Sequence, residues 1–247
     1  MFPTLLHLGH LYLPTFGVLA AVGLMLALGL SERTAGLAGI DPAKLWDAGI
    51  FAVIAAFVLS RILLVLTHFK TFVAFPILLL AVPSLTATGL LLTILVTAAW
   101  LWFKRVPILS ALDAWAPCGA LVWASLALGH FAEGSDPGMP TTLPWGLRPM
   151  PGEEICLHPI ALYAAFIAFL IAAISFRLLH RPHPAGSTAG WTLAYVGLAQ
   201  YSLTFLRQPG ATALNGLELL EWASLAMLIA GVALVFFAKT RTQPASA

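Results

Sequence analysis

The chain has 247 residues, of which 60% are hydrophobic and 9% are charged, and its formal net charge is +2. Because soluble domains carry about 25% charged residues, this composition excludes a soluble globular protein and indicates a membrane protein. The small net charge and the lack of a basic run exclude a nucleic-acid partner. The two cysteines, Cys118 and Cys156, are not spaced as metal ligands. The N-terminus lacks an early Lys or Arg and a small-residue cleavage site, so a removed signal peptide is not expected.

Seven continuous apolar segments are long enough to cross a membrane as helices, which requires about 20 residues each. They lie near residues 13–31, 49–67, 85–103, 113–131, 158–176, 188–206 and 217–237. The segments are continuously apolar rather than alternating, which favours helices over the strands of a barrel. The sequence therefore predicts an all-α integral membrane protein with seven transmembrane helices.

The Lys and Arg residues in the loops predict the orientation of these helices. Eight of the twelve fall on one side of the predicted membrane and three on the other, while Arg61 lies within the second span. Loops that are rich in Lys and Arg stay in the cytoplasm. The count therefore places the N-terminus outside and the C-terminus in the cytoplasm.

Two segments on the outer side are expected to form structure outside the spans. The longest loop, residues 132–157, carries four carboxylates and is dense in Pro and Gly, so it is expected to form a rigid, irregular outer cap. The segment 68–84 is too short and too rich in Pro to cross the membrane. It is expected to lie in the outer interface as an amphipathic arm.

Arg61, Arg207 and Asp113 are charged residues that lie within or at the ends of the spans. An ionised group inside a span is costly unless it is paired or reaches water. Arg61 therefore either extends to the outer headgroups or holds an anion such as a lipid phosphate, for which its donor fork is suited. Arg207, at the outer end of the sixth span, is either an interfacial anchor or a second phosphate ligand. Asp113 is expected to be a carboxylate that a helix dipole stabilises.

A group of polar residues lies at the outer end of the fourth span. His130 and Glu133 are three residues apart, so they share a face if the helix continues, and Asp136 follows them. Three interpretations remain open for this group: a metal site, a capping and hydrogen-bonding cluster, or an acid–base set. His158 precedes Pro159, a residue that favours the first helical turn. It is either structural or a base or phosphate donor at the outer surface.

Several short motifs resemble one known family in their order and spacing. They are LSRILLVLTHF, VPILSALDAWAP, LPWGLR, HPIALY and FLRQP, at residues 59–69, 106–117, 143–148, 158–163 and 205–209. Each motif is only moderately specific. Together, over nearly the whole chain, they resemble the prolipoprotein diacylglyceryl transferase family.

The resemblance implies a fold, a location and an activity. The fold would be seven transmembrane helices in the bacterial inner (cytoplasmic) membrane, with arms and a small head region on the outer face. The activity would move the diacylglyceryl group of phosphatidylglycerol onto the cysteine thiol of a prolipoprotein and release glycerol phosphate. The implied partners are membrane lipids, a phosphatidylglycerol-like phospholipid as substrate and the prolipoprotein signal peptide. No cofactor and no metal are implied.

The candidate site residues fall into three groups. The expected catalytic residues are His130, His158 and Glu133, the expected lipid-phosphate ligands are Arg61 and Arg207, and the expected supporting residues are Tyr163 and Asp136.

Four positions depart from the polar residues that the family carries in its active cavity. The family's His on the third span is Thr88, its signature Arg is Ala127, and its Arg and Glu on the sixth span are Gln200 and Thr204. Cationic donors stabilise the negative charge that grows on a departing phosphate, and these four residues carry none. Three functions therefore stay open: the family reaction with altered residues, transfer of a phospholipid group to another acceptor, and lipid binding without catalysis.

Overall fold

Helices dominate the fold because a bilayer offers no hydrogen-bond partners, so each apolar segment satisfies its backbone groups internally. The structure is a computed structural model that describes residues 4–8, 11–75, 86–148, 155–208, 213–214 and 217–242. Its helices are α1 (Thr15–Leu37), α2 (Pro42–Thr67), α3 (Phe69–Ala74), α4 (Ala87–Phe103), α5 (Ile108–Glu133), α6 (Ile160–Leu179), α7 (Ser187–Thr204) and α8 (Leu219–Thr242).

Five of these helices are long and apolar enough to cross a membrane: α1, α2, α5, α6 and α8. Helix α4 is also apolar but has 17 residues. Helix α7 has 18 residues and is richer in Gly, Ser and Thr. Each of the seven segments singled out in the sequence overlaps one of the helices other than α3. The protein is therefore a mostly helical, multi-pass membrane protein.

Three pairs of short antiparallel strands lie in the described parts of the chain. They are β1 (Thr4–Leu8) with β2 (Leu11–Pro14), β3 (Pro140–Thr141) with β4 (Cys156–Leu157), and β5 (Ala213–Leu214) with β6 (Leu217–Glu218). The β3–β4 pair lies within the segment expected to form the outer cap. Of the expected interfacial arm, α3 is described, and residues 76–85 lie outside the described residues.

Helices α7 and α8 pack closely because glycines lie where they cross. A Cβ added to Gly197 would lie 2.6 Å from both the Leu228 nitrogen and the Ser224 carbonyl oxygen, and one on Gly190 would lie 2.9 Å from the Gly231 carbonyl oxygen. Contacts this short with backbone leave no space for a side chain. Small residues let helix backbones approach in membranes, where van der Waals packing holds helices together.

Helix α5 is held to the start of α7 by Asp113, which is 1% exposed. Its carboxylate oxygens accept hydrogen bonds from the Gly186 N–H at 2.6 Å and the Ala189 N–H at 2.7 Å. Nε2 of His183 lies 3.6 Å from the same carboxylate. The expected helix-dipole role of Asp113 therefore falls on a neighbouring helix, because its side chain caps α7 rather than α5.

Candidate functional site

The C-terminal turn of α5 presents His130 beside the chain reversal that ends the helix. Gly134 adopts a left-handed conformation with φ +71°, and its N–H bonds the His130 carbonyl oxygen at 2.9 Å. The reversal brings the Ser135 hydroxyl to 2.8 Å from Nδ1 of His130. The Phe16 ring of α1 lies 4.9 Å from the imidazole, centroid to centroid. The ring of His130 is thus held from two sides.

His158 lies two residues before the start of α6 at Ile160, and its backbone is hydrogen-bonded to the loop after α5. Its N–H donates to the Met139 carbonyl oxygen at 3.0 Å, and the Tyr163 ring lies edge-on at 6.2 Å. Nδ1 of His158 is buried and has no hydrogen-bond partner among the described residues. A buried polar atom without a partner carries a desolvation cost, so this nitrogen is available to a bound molecule.

Arg207 follows α7 and forms an ion pair with Asp136. Its Nη2 lies 2.7 Å from Oδ2 of Asp136, and both side chains are about three-quarters buried. The Arg207 backbone also forms an antiparallel bridge with Gly138. Within the described residues, Nε of Arg207 is buried without a partner. The ion pair therefore uses only part of the guanidinium's hydrogen-bonding capacity.

These groups surround a small pocket of about 50 Å³, which we call the α5–α6 pocket. It is lined by His130, Asp136 and His158 together with Phe131, Pro137, Leu157 and the first residues of α6. A cavity of this size holds a few water molecules, or one polar group of a larger ligand. Two imidazoles and one carboxylate on its walls allow proton transfer, and Arg207 is joined to it through Asp136.

The structure thus brings together His130, Asp136 and His158, with Arg207 and Tyr163 in contact with them. Glu133 is exposed and does not line the pocket, because the helix ends directly after it. In the described ranges, no group of three or more His, Cys, Asp or Glu side chains is arranged to hold a metal.

Arg61 is not part of the same group. Its guanidinium carbon lies 5.4 Å from the centre of the Phe72 ring, a cation–π contact between α2 and α3. Arg61 does not line the α5–α6 pocket. Arg61 therefore lies apart from the pocket that His130 and His158 line.

Two of the positions that depart from the family pattern, Ala127 and Thr204, have uncharged surroundings. Ala127 is 4% exposed and belongs to an apolar cluster with Ile160 and Leu203. Thr204 donates its hydroxyl to the Tyr201 carbonyl oxygen at 2.7 Å. An alanine therefore occupies this position in an apolar environment.

Sequence reasoning missed two contributors to the site. Nε1 of Trp145 donates to the Tyr163 hydroxyl at 2.7 Å, which ties the LPWGLR motif to α6. Ser135 bonds His130. Trp145 lies within the LPWGLR motif, so the sequence offered a reason to consider its indole N–H as a hydrogen-bond donor. Nothing in the sequence distinguishes Ser135.

Comparison with known proteins places the chain in a family. The family model described as prolipoprotein diacylglyceryl transferase matches residues 3–237. The chain belongs to the prolipoprotein diacylglyceryl transferase family. Among its relatives, the phosphatidylglycerol–prolipoprotein diacylglyceryl transferase of Cupriavidus necator is 29% identical over 99% of this chain and 95% of the relative. The protein of the same name from Photobacterium profundum is 26% identical over 95% of this chain and 90% of the relative. The resemblance drawn from the motifs is thereby confirmed.

Proposed function

We propose that this chain transfers the diacylglyceryl group of phosphatidylglycerol to the cysteine thiol of a prolipoprotein. Membership of the prolipoprotein diacylglyceryl transferase family supports the reaction class. The observation that carries the proposal is a pair of buried nitrogens without a partner among the described residues. One is Nδ1 of His158, which lines the α5–α6 pocket, and the other is Nε of Arg207, which pairs with Asp136 on the pocket wall. Such nitrogens suit a phosphate oxygen and a transferable proton.

The reaction balances with the groups present. The thiol loses its proton to an imidazole, and the thiolate forms a bond to the glyceryl carbon that carries the phosphate. The bond between that carbon and the phosphate oxygen breaks, and its electron pair leaves on glycerol phosphate. Arg207 stabilises the growing negative charge, and Asp136 holds Arg207 in place. His158 is assigned as the base because its Nδ1 has no partner in the described part of the chain, and His130 assists it.

The remaining site residues take supporting roles. Tyr163 holds the edge of the His158 ring, and Trp145 fixes Tyr163. Glu133 is exposed and does not line the pocket, so we assign it to proton exchange with water at the outer surface. Because Arg61 stands at the contact of α2 with α3, we assign it to the phosphate of a neighbouring lipid rather than to the reacting one.

We further propose that seven helices cross the bacterial inner membrane, namely all except α3. The N-terminus lies outside and the C-terminus in the cytoplasm, as the excess of Lys and Arg on one side favours. The α5–α6 pocket then faces the outer leaflet, with residues 132–157 as the outer cap. Reporter fusions test this: alkaline phosphatase is expected to be active after residue 142 and inactive after residue 39.

Complementation tests the reaction. The chain is expressed in bacteria depleted of their own transferase, and the unmodified prolipoprotein is followed over time. We expect wild type to restore maturation and Arg207→Ala to fail at equal protein level. Failure of wild type to restore maturation would contradict the proposal.

A second candidate function rests on Ala127, the position that the resemblance assigns to a family Arg. This residue is packed in an apolar cluster, and Gln200 and Thr204 add no charge. These substitutions favour transfer of a phospholipid group to another acceptor, or lipid binding without catalysis. Total lipid analysis separates the two: transfer changes the profile in a manner that requires His158, and binding alone leaves the profile unchanged.

A further inference from the structure

A second cavity lies at the opposite end of α6 from the α5–α6 pocket. It has a volume of about 330 Å³, and we call it the α1–α6 pocket. Leu37, the last residue of α1, lines one side, and Leu179 with residues 180–183 lines the rest. Small-ligand sites have volumes of about 300–1,000 Å³. No group assigned to the proposed transfer reaction lines this pocket, so an inference from it goes beyond that reaction.

The α1–α6 pocket lies at headgroup depth in the leaflet opposite the α5–α6 pocket. Helix α6 has 20 residues, which corresponds to about 30 Å at 1.5 Å per residue, the thickness of the hydrocarbon core. Ile160 lines one pocket and Leu179 lines the other, so the two pockets lie at opposite faces of the membrane. This placement depends on α6 crossing the bilayer, for which it is long and apolar enough.

Side-chain contacts hold the walls of the α1–α6 pocket in place. The His180 ring packs edge-on against Phe176, with 4.7 Å between centroids, and its Nδ1 donates to the Phe176 carbonyl oxygen at 2.8 Å. Nδ1 of His183 donates to the Arg181 carbonyl oxygen, and its Nε2 lies 3.6 Å from the Asp113 carboxylate. The pocket is therefore preformed, which lowers the entropic cost of binding a ligand.

Two groups at the α1–α6 pocket remain for a ligand. Arg181 is exposed, and no carboxylate in the described part of the chain forms an ion pair with it. Nδ1 of His180 is occupied by the Phe176 carbonyl oxygen, which leaves Nε2 of that ring for a ligand. None of the described residues that line the pocket is acidic. The Asp113 carboxylate behind it is 1% exposed and already accepts two backbone N–H groups, so the pocket is a basic site open to an anion.

These features define an anionic ligand with an apolar part. A guanidinium fork matches two oxygens of a phosphate, whereas Leu37 and Leu179 offer an apolar side that a free phosphate would leave uncovered. Basic pockets between transmembrane helices on the cytoplasmic side bind anionic headgroups, and the orientation proposed above agrees with this. We propose that the α1–α6 pocket binds the phosphate of an anionic phospholipid in the leaflet opposite the α5–α6 pocket, with Arg181 and His180 on the phosphate and the start of an acyl chain against Leu37.

Native mass spectrometry of the purified protein in detergent tests the site. The titration uses dioleoylphosphatidic acid and the Arg207→Ala background, which removes the proposed phosphate ligand at the α5–α6 pocket. We expect saturable binding that Arg181→Gln weakens about tenfold, the effect of losing one charge-assisted hydrogen bond. Arg105→Gln is the matched control, because Arg105 is an exposed cation beyond the end of α4 that does not line the pocket. We expect it to leave the affinity unchanged.

Two further variants keep the test valid if Arg181→Gln fails to fold. Arg181→Lys keeps the charge but loses the planar fork, so we expect an intermediate loss of affinity. Leu37→Trp keeps both phosphate ligands and fills the apolar side of the pocket, so we expect a loss comparable to that of Arg181→Gln. The unfolding temperature measured without lipid shows which variants are folded.

Three results would overturn the inference. The first is equal affinity for dioleoylphosphatidylcholine and dioleoylphosphatidic acid, which would show that the negative charge of the headgroup is not recognised. The second is an equal loss of affinity in Arg105→Gln and Arg181→Gln, which would assign binding to the overall positive charge of this face. The third is full displacement of the lipid by an equal concentration of inorganic phosphate, which would make the pocket a site for free phosphate.

Discussion

The Asp113 carboxylate on α5 caps the N-terminus of α7 by accepting the Gly186 N–H at 2.6 Å. The first N–H groups of a helix have no partner within it, so this side chain satisfies donors that would otherwise be orphaned inside the bundle. The contact also joins two residues that lie 73 positions apart along the chain.

We therefore expect Asp113→Ala to destabilise the folded protein. The loss of two buried, charge-assisted hydrogen bonds corresponds to roughly 2–5 kcal/mol. Thermal unfolding in detergent, followed by fluorescence-detected size exclusion, measures this. Asp41→Ala is the matched control, because Asp41 caps α2 from an exposed position through the Ala43 N–H. Equal shifts in unfolding temperature for both variants would contradict the role of Asp113.

Arg207→Ala is expected to lower transfer from phosphatidylglycerol by at least about 100-fold, because a donor aimed at the departing phosphate is lost. Asp136→Asn keeps the shape but removes the counter-charge at 2.7 Å, so we expect a smaller loss, on the order of tenfold, mainly in kcat. Purified enzyme and a lipobox peptide supply the measurement. Arg148→Ala, on the exposed loop, is the control, and a loss there as large as at Arg207 would refute the assignment.

His158→Gln is expected to reduce the rate of transfer by roughly 100- to 10,000-fold, which is the range for a general base. Binding of phosphatidylglycerol is expected to persist, because Arg207, the proposed phosphate ligand, is retained. Single-turnover kinetics separates the chemical step from binding. His180→Gln, at the far end of α6, should retain the wild-type rate. A larger loss of rate in His130→Gln than in His158→Gln would contradict the assignment of His158 as the base.

Gly197→Val is expected to disrupt the packing of α7 on α8. Its added atoms meet the Ser224 carbonyl oxygen and the Leu228 nitrogen, neither of which moves cheaply, so we expect a loss of about 1–3 kcal/mol or more. Yield of folded protein and unfolding temperature report the effect. Gly36→Val on α1 is the control, since open space surrounds that position. Similar behaviour of the two variants would show that the close approach is not required.

The helices were predictable because a helix that crosses a bilayer needs a long apolar segment, which hydropathy detects directly. The ends of the helices were harder to predict. Helix α2 begins at Pro42, seven residues before the predicted start, because Asp41 caps a first turn that lies outside the continuously apolar segment. Helix α7 is shorter and more polar than its neighbours, since it is packed between them and satisfies different constraints from a lipid-facing helix.

The positions of the candidate site residues depend on the fold as well as on the sequence pattern. His130 and Glu133 share a face in sequence terms, but the helix ends at Gly134 and the chain turns back, so Asp136 joins His130 while Glu133 stays exposed. Arg61 lies away from the α5–α6 pocket because the direction of a helix face depends on how helices pack, which hydropathy does not encode. The Arg207–Asp136 pair joins residues 71 positions apart, a separation that no local pattern reveals.

Backbone hydrogen bonds join the loop after α5 to the ends of two other helices. Met139 donates its N–H to the Leu206 carbonyl oxygen at 2.8 Å and accepts the His158 N–H at 3.0 Å. One residue therefore couples the end of α7 to the start of α6. Because Arg207 and His158 lie next to these two hydrogen bonds along the chain, we expect a displacement of the end of α7 to move the guanidinium and the imidazole together.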